Sequence, residues 1–365
     1  MEYVQERVTT LHDFGGVDVD APADRAAVVV PMTEREYAGL AAERVLSELE
    51  SLAPQQVVVP LRAGADRALE FHDWLREFDL PLTTLWCDGP RVEELLTDAG
   101  VNGRRGKGRD VWLALGQALE SEYVVVHDAD TKSYSRAYPE RLLAPLANGH
   151  DFAKGYYARV EDDRLYGRLF RLFYAPLVRA LRDAHDAAVL DYLGAFRYAL
   201  AGEFAATAEL LSAARLAPAW GLEVSTLGAA FRLAGADRSA QVDLGTYEHD
   251  HRAVGGPTGL TDMSEAVGAA LFRAVEAGGV TPDYDRLRDR YRATATDLVE
   301  QYAADAAFNG FEFDRTGERD QIDRYVDSVA APDRDDRLPA WREVDLAPED
   351  VVAAAEADLA EVRSE

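Results

Sequence analysis

Apolar residues fall into short continuous runs that alternate with stretches of helical spacing. Residues 26–30 (AAVVV) form an uninterrupted apolar run closed by Pro31, which predicts a buried strand. Residues 34–52 carry Leu40, Val45, Leu46 and Leu49 at helical spacing, and 57–59, ahead of Pro60, predict a second buried strand. The alternation continues with a helix over 65–78 (Leu69, Trp74, Leu75 and Phe78 inward), a strand over 82–87, helices over 92–99 and 109–119, and a strand over 123–126. Continuous apolar strands separated by amphipathic helices imply βαβ units and a mainly parallel sheet covered on both faces. In such a sheet ligands sit at the carboxyl ends of the strands.

Beyond residue 150 the pattern changes. A strand is expected over 151–160 and an apolar-rich helix over 165–181, with Arg168, Arg171 and Arg179 interleaved. Helices are expected over 198–211 and 223–234, a strand over 240–244, and helices over 264–277 and 283–306. Residues 311–348 are rich in Asp and Arg and contain Pro332, Pro339 and Pro348, which predicts a surface arm; Pro348 then opens a last helix. The expected division is an N-terminal extension (1–24), a first α/β half (25–150), a second half of the same domain (151–260) and a helical C-terminal region with the arm (261–365). The apolar faces of 165–181 and 264–306 serve either as core or as a homodimer surface.

Charge narrows the function classes. Lys plus Arg number 39 against 66 Asp plus Glu, a net −27, which argues against nucleic acid as a partner because counterion displacement needs a basic footprint. Only Lys107, Lys132 and Lys154 are lysine. An acidic, lysine-poor surface fits a high-salt cytoplasm, where the Debye length shrinks to roughly 3 Å and like charges repel little. Most carboxylates are therefore solvated surface, and all three lysines fall within 107–154. No stretch approaches 18 uncharged apolar residues, so no membrane span is expected. Residues 1–6 lack the basic and apolar regions of a signal peptide, so a cytoplasmic location is expected. The single cysteine, Cys87, excludes an intramolecular disulfide and a zinc ribbon.

Four segments carry chemistry. In 124–130 (VVVHDAD), Asp128 and Asp130, separated by Ala129, stand directly after a strand, where two carboxylates converge on one Mg²⁺ or Mn²⁺. Acidic turn residues are common, so position rather than the bare Asp-x-Asp gives this motif its weight. Gly106-Lys107-Gly108 opens the 109–119 helix, where glycines admit a phosphate to free N–H groups and Lys107 adds a charge; a plain surface turn is the alternative. Lys107 is followed by Gly108 rather than Ser or Thr, so this is no Walker A loop, and no G-x-G-x-x-G follows the first strand. Tyr247-Glu248-His249-Asp250-His251 offers an imidazole to a carboxylate metal site, or a solvated polar loop. In Trp220-Gly221-Leu222-Glu223, Trp220 offers a stacking face, Gly221 close approach and Glu223 a hydroxyl partner; a helix start with Glu in its first turn explains the same residues.

In this order the segments resemble the GT-A glycosyltransferases, most closely glucosyl-3-phosphoglycerate synthase and related retaining enzymes. The matching stretches run from Val28 to about Gly255: Pro31-Met32-Thr33-Glu34, Gly106-Lys107-Gly108 with Trp112, Asp128 and Asp130, Lys154, Gly167-Arg168, Pro176-Leu177, Gly202-Glu203-Phe204-Ala205, Trp220 to Glu223, and His249 after Gln241-Val242-Asp243-Leu244-Gly245. The resemblance implies a mixed sheet flanked by helices, with a nucleotide-sugar-binding half over 25–150 and an acceptor and metal-completing half over 151–260. It implies a nucleoside-diphosphate-sugar donor (UDP- or GDP-) held by Pro31, Met32, Thr33, Glu34, Lys107, Asp128, Ala129, Asp130, Trp220 and Gly221. It also implies Mg²⁺ or Mn²⁺ on Asp130, His249 and Asp128. The chain departs from the family pattern at four positions: Thr33 replaces Asn in the first loop, and in the acceptor half Phe170 replaces the acceptor-phosphate Thr, Tyr247 replaces Arg and His251 replaces Asn.

The reaction expected is hexosyl transfer with retention to a small hydroxylated acceptor, a phosphoglycerate-like acid or another compatible-solute precursor. Asp130, Lys107 and Glu223 form the catalytic set. Lys107 and the metal neutralise the departing diphosphate, and Glu223 positions sugar or acceptor. A sugar nucleotidyltransferase and a catalytically silent nucleotide-sugar binder remain the competing readings. The first normally carries a glycine-rich Arg/Lys loop, where this chain has residues 31–34.

Overall fold

The computed structural model of the chain describes residues 6–12, 19, 21–161, 164–248, 250 and 257–364. Its strands, in chain order, are β1 (Thr9–Leu11), β2 (Ala26–Val29), β3 (Met32–Thr33), β4 (Gln56–Arg62), β5 (Leu82–Trp86), β6 (Tyr123–Val126), β7 (Phe152–Ala158), β8 (Val160–Glu161), β9 (Arg164–Leu165), β10 (Phe204–Thr207) and β11 (Ser239–Thr246). The helices are α1 (Leu40–Leu52), α2 (Ala65–Leu75), α3 (Pro90–Asp98), α4 (Lys107–Ala118), α5 (Ala137–Ala147), α6 (Ala175–Arg182), α7 (Ala188–Leu193), α8 (Ala208–Ser212), α9 (Leu222–Leu233), α10 (Pro257–Ala277), α11 (Tyr284–Asn309), α12 (Arg315–Tyr325) and α13 (Pro348–Ser364).

The apolar runs become the centre of one mixed sheet, ordered β1-β11-β7-β10-β6-β2-β4-β3, with β5 also paired to β4. β2 pairs in parallel with both β4 and β6. Alternate residues face opposite layers, as the pleat requires. Val29, Val58, Val124 and Val126 pack with Val111, Trp112, Leu115, Phe173 and Leu177 on one side. Val28, Val57, Val59 and Val125 pack with Val45, Leu46, Leu49, Phe71 and Leu142 on the other. This is the α/β sheet covered on both faces that the pattern implied, with the mixed strand order that the resemblance to GT-A enzymes implied.

One strand breaks the parallel order and assembles the site. β10 runs antiparallel between β6 and β7, with Phe204 opposite both Val126 and Lys154. Its amino end, at Gly202-Glu203, therefore meets the carboxyl end of β6 and the middle of β7, where the Gly155 N–H donates to the Glu203 carbonyl. The helix expected over 198–211 is thus incorrect: 204–207 is a central strand, and only Ala208–Ser212 is helical, capped by the Thr207 hydroxyl. The alanines favour helix locally, but a slot between two buried strands overrides propensity.

Other expectations shift as well. The 34–52 helix begins only at Leu40, because Thr33 caps a separate turn over Glu34–Glu36 and Ala38 takes a left-handed φ of 46°. The 165–181 helix loses its first residues to β9, which pairs with β8, and passes through a π-turn at Phe170–Tyr174 before α6. Part of the N-terminal extension is structural, since β1 adds an edge strand along β11. The supposed surface arm contains α12, whose Ile322 and Tyr325 are buried, and Trp341, which stacks on Trp112 at 4.6 Å. Gly116 makes room for that indole, since a Cβ there would lie 2.8 Å from it. The apolar faces raised as a dimer surface are spent inside the chain: Leu172, Phe173, Leu177, Leu271, Phe272, Tyr291 and Val299 are all buried. α13 is fastened by Asp358, whose carboxylate accepts from the backbone N–H of Arg91 at 3.0 Å and from its guanidinium at 2.8 Å.

Candidate active site

β6 delivers His127, Asp128, Ala129 and Asp130 to the carboxyl edge of the sheet. The loop they form is laced to the exit of β11. Lys132 N–H donates to the Glu248 carbonyl at 2.9 Å, Asp250 N–H to the Asp130 carbonyl at 2.8 Å, and Glu248 N–H to the Ser133 hydroxyl at 3.1 Å. The Thr131 hydroxyl bonds the Tyr247 hydroxyl at 2.8 Å. His249 lies outside the described residues, as does His251, but its two neighbours are thereby tied to the Asp-x-Asp loop.

Lys107 joins the two halves of the site. It is the first residue of α4, and its ammonium lies 2.5 Å from Asp128 Oδ1 and 3.2 Å from Glu223 Oε1. Burial opposes its charge, but Asp128 and then Glu223 outweigh it, so its pKa stands above the ordinary lysine value. Glu223 occupies the first turn of α9. Asp128, Lys107 and Glu223 are each partly exposed. Asp130 is half-buried, and its pKa is raised by desolvation and then by Asp128 and Glu36.

The flanking glycines do a different job from the one expected. A Cβ on Gly108 would lie 1.9 Å from the Ala217 carbonyl, and one on Gly106 would lie 2.9 Å from Ala219. The Arg109 N–H already donates to the Pro218 carbonyl at 2.8 Å. These glycines therefore let α4 dock on the 217–219 segment rather than admit a phosphate. Gly221 likewise serves packing, since its Cβ would lie 2.9 Å from the Ala266 carbonyl on α10. Trp220 beside it is 45% exposed and offers its ring to solvent.

The 31–34 loop forms the other wall. Met32 and Thr33 pair with Leu61 and Arg62, with the Met32 side chain buried and Glu34 exposed. Glu36 accepts from Thr33 N–H at 2.6 Å and from its hydroxyl at 2.7 Å, closing a capping box. At the ends of β4 and β5, Arg62 pairs with Asp110 at 3.0 Å, and the buried Arg109 donates to the Cys87 carbonyl at 3.0 Å.

Glu203 and Lys154 were matched to the family pattern in sequence but not counted as site residues. Glu203 is 1% exposed, and neither of its oxygens has a hydrogen-bond partner among the described residues. Burial and then Asp128 raise its pKa. Lys154, equally buried, donates to the Ala201 carbonyl, and burial pushes its pKa down to about 8. Gly202 fits against Asp128, where a Cβ would lie 2.2 Å from Oδ2. The signals in the sequence were the family match, the rarity of lysine for Lys154, and for Glu203 a Gly-Glu at the start of an apolar run, which the helix expectation concealed. Among the described residues no three His, Cys, Asp or Glu side chains form a ready metal cluster.

Relatives with this arrangement identify the family. No protein-family model matches the chain. The glucosyl-3-phosphoglycerate synthase of Methanococcoides burtonii is 34% identical over 356 residues, 89% of this chain and 87% of the relative. The chain belongs to the glucosyl-3-phosphoglycerate synthase family. The synthase of Persephonella marina is 35% identical over 327 residues, covering 84% of this chain and 81% of its own. A crystal structure of glucosyl-3-phosphoglycerate synthase from Mycobacterium tuberculosis with Mg²⁺ and uridine diphosphate superposes with a TM-score of 0.57 at 26% identity, over 76% of this chain and 88% of that one. Another, with Mn²⁺, UDP-glucose and phosphoglyceric acid, gives 0.56 at 25% identity, over 76% of this chain and 89% of that one. The chain is accordingly a GT-A-fold glycosyltransferase, as the synthase family is. No described helix is long and apolar enough to cross a membrane.

Proposed function

We propose that the protein transfers glucose from a nucleoside-diphosphate glucose to the hydroxyl of 3-phosphoglycerate, with Mg²⁺ or Mn²⁺. The carrying observation is the Lys107 ammonium held between Asp128 and Glu223, which joins a donor-side carboxylate to an acceptor-side one across a single cation. The donor preference rests on family relatives seen with uridine diphosphate and UDP-glucose. The 31–34 loop, Ala129 and Trp220 are assigned to the nucleotide.

Asp128 and Asp130 suit a divalent cation: both are hard oxygen donors, and the half-buried Asp130 feels the negative charge of Asp128, Glu36 and Glu203, which Lys107 opposes. His249 is assigned as the third ligand, since its neighbours Glu248 and Asp250 are tied to Lys132 and Asp130. When bound, the metal neutralises charge on the diphosphate leaving group. Lys107 adds a fixed positive charge on the same side, and Glu223 orients the sugar or the acceptor hydroxyl. The bond from C1 to the diphosphate breaks as the acceptor oxygen bonds C1 from the same face. The acceptor proton passes to the departing phosphate, and configuration is retained. We also place the enzyme in the cytoplasm, because its phosphorylated substrates carry too much charge to cross a lipid bilayer unaided.

Incubation with UDP-glucose or GDP-glucose, 3-phosphoglycerate and Mn²⁺ in high salt tests the reading. Glucosyl-3-phosphoglycerate should form, Asp130→Ala should abolish it with the fold retained, and His249→Ala should raise the metal requirement. Tight donor binding without turnover would leave only a silent binder, and Asp130→Ala at full rate would remove the metal assignment.

A further inference from the structure

Arg159 stands at the turn leaving β7, at the same edge of the sheet as the Asp-x-Asp loop. Its guanidinium donates to the Tyr198 hydroxyl at 3.4 Å and lies 5.9 Å from the centre of the Tyr247 ring. Its Nε is buried without a hydrogen-bond partner among the described residues. Among the described residues no carboxylate lies at salt-bridge distance from it, and the groups acting most strongly on its charge are the hydroxyls of Tyr198, Tyr157 and Tyr247. The arginines nearby in sequence each have a carboxylate partner: Arg164 pairs with Glu312, and Arg168 and Arg171 share Glu318. A half-buried cation faced by neutral rings, in a chain of net charge −27, retains its full pull on an anion.

The surroundings aim that pull at the site. Tyr247 stacks on Tyr157 at 4.0 Å, and its hydroxyl reaches Thr131, next to Asp130, so one ring separates Arg159 from the acidic cluster. Gly167, with φ of +80°, passes the Tyr198 hydroxyl so closely that a Cβ would lie 3.2 Å away, so the absence of a side chain there leaves room beside that hydroxyl. Phe170 packs on the Tyr198 ring at 5.0 Å and fixes its position.

We propose that Arg159, supported by the Tyr198 hydroxyl, is the specificity residue that receives the phosphate of the acceptor. This rests on the phosphoglycerate reading above. The reacting hydroxyl belongs near Glu223 and the acidic cluster, and the phosphate, the acceptor's outer charge, belongs at the cation one ring away. Guanidinium suits it, because planar paired N–H groups match phosphate oxygens.

The test compares wild type, Arg159→Ala and Arg159→Lys with 3-phosphoglycerate and with unphosphorylated glycerate. Calorimetric binding of each acid to protein saturated with UDP and Mn²⁺ runs in parallel, with thermal melting as the check on folding. Arg159→Ala should raise the KM and Kd for 3-phosphoglycerate about 10- to 100-fold, the loss expected for a charged hydrogen bond. Arg159→Lys should recover part of that, while the KM for UDP-glucose and the affinity for glycerate should stay within threefold. Equal 3-phosphoglycerate affinity in wild type and Arg159→Ala, with normal wild-type turnover, overturns this assignment alone. Equal losses for both acids would show that Arg159 does not read the phosphate. A wild type that neither binds nor glucosylates 3-phosphoglycerate overturns the functional reading and this assignment together.

Discussion

Acid should loosen the active site through His127, the residue that leads β6 into the Asp-x-Asp loop. Its ring is fully buried edge-on to Tyr134 at 5.1 Å, and neither nitrogen has a hydrogen-bond partner among the described residues. Burial pushes its pKa down to about 3, against 6.5 in the unfolded chain, with only a small opposing pull from Asp128. As the pH falls, the unfolded chain therefore takes up a proton first, and stability drains away between about 6.5 and 3. Between pH 7 and pH 5 this one ring should remove about 2 kcal/mol, from the difference in protons bound by the two states. His127→Phe keeps an edge-on ring and removes the titration. Urea unfolding of both proteins at pH 7, 6 and 5, at fixed salt and without metal, measures the gap between them. The gap should move by about 2 kcal/mol in favour of His127→Phe as the pH drops. Parallel pH curves for the two proteins would refute the reasoning, whatever the offset between them, because an offset reports packing and only the slope reports the proton.

Two further substitutions probe separate parts of the structure. Lys107→Met keeps the length of the side chain and removes the charge between Asp128 and Glu223; kcat should fall about 10²- to 10³-fold, as on loss of one preorganised charge at a leaving group, and a kcat within threefold of wild type would end that role. Trp341→Ala removes the indole that stacks on Trp112 and fills the space above Gly116; denaturant unfolding should show a cost of about 3–5 kcal/mol, and a cost under about 1 kcal/mol would return the 326–347 segment to the status of a loose arm.

Much of the donor half was legible from the chain alone, because there local pattern and tertiary role coincide. The runs at 26–30, 57–59 and 123–126 are continuous and apolar because their strands are buried on both faces, and a strand of that kind delivers whatever follows it to the carboxyl edge. Asp128 and Asp130 were therefore placed correctly by a rule of chain direction. Lys107 was singled out by its rarity and its position before a helix, although its glycines turned out to serve the docking of α4 on residues 217–219.

The rest needed contacts between residues far apart in the chain. Nothing local in Gly202-Glu203-Phe204 says that the segment will run antiparallel between two strands, yet that slot brings a buried carboxylate behind Asp128. Trp341 reads as part of a polar, proline-rich arm, and only the gap over Gly116 makes it core. Arg159 is one of many arginines in sequence; its distinction is that tyrosine rings, and no described carboxylate, surround it in space. Period and polarity along the chain decide which residues are buried and in which direction a strand points. Which charges face one another depends on strand order and helix docking, and those are settled by burial of the whole apolar surface at once rather than by any single segment.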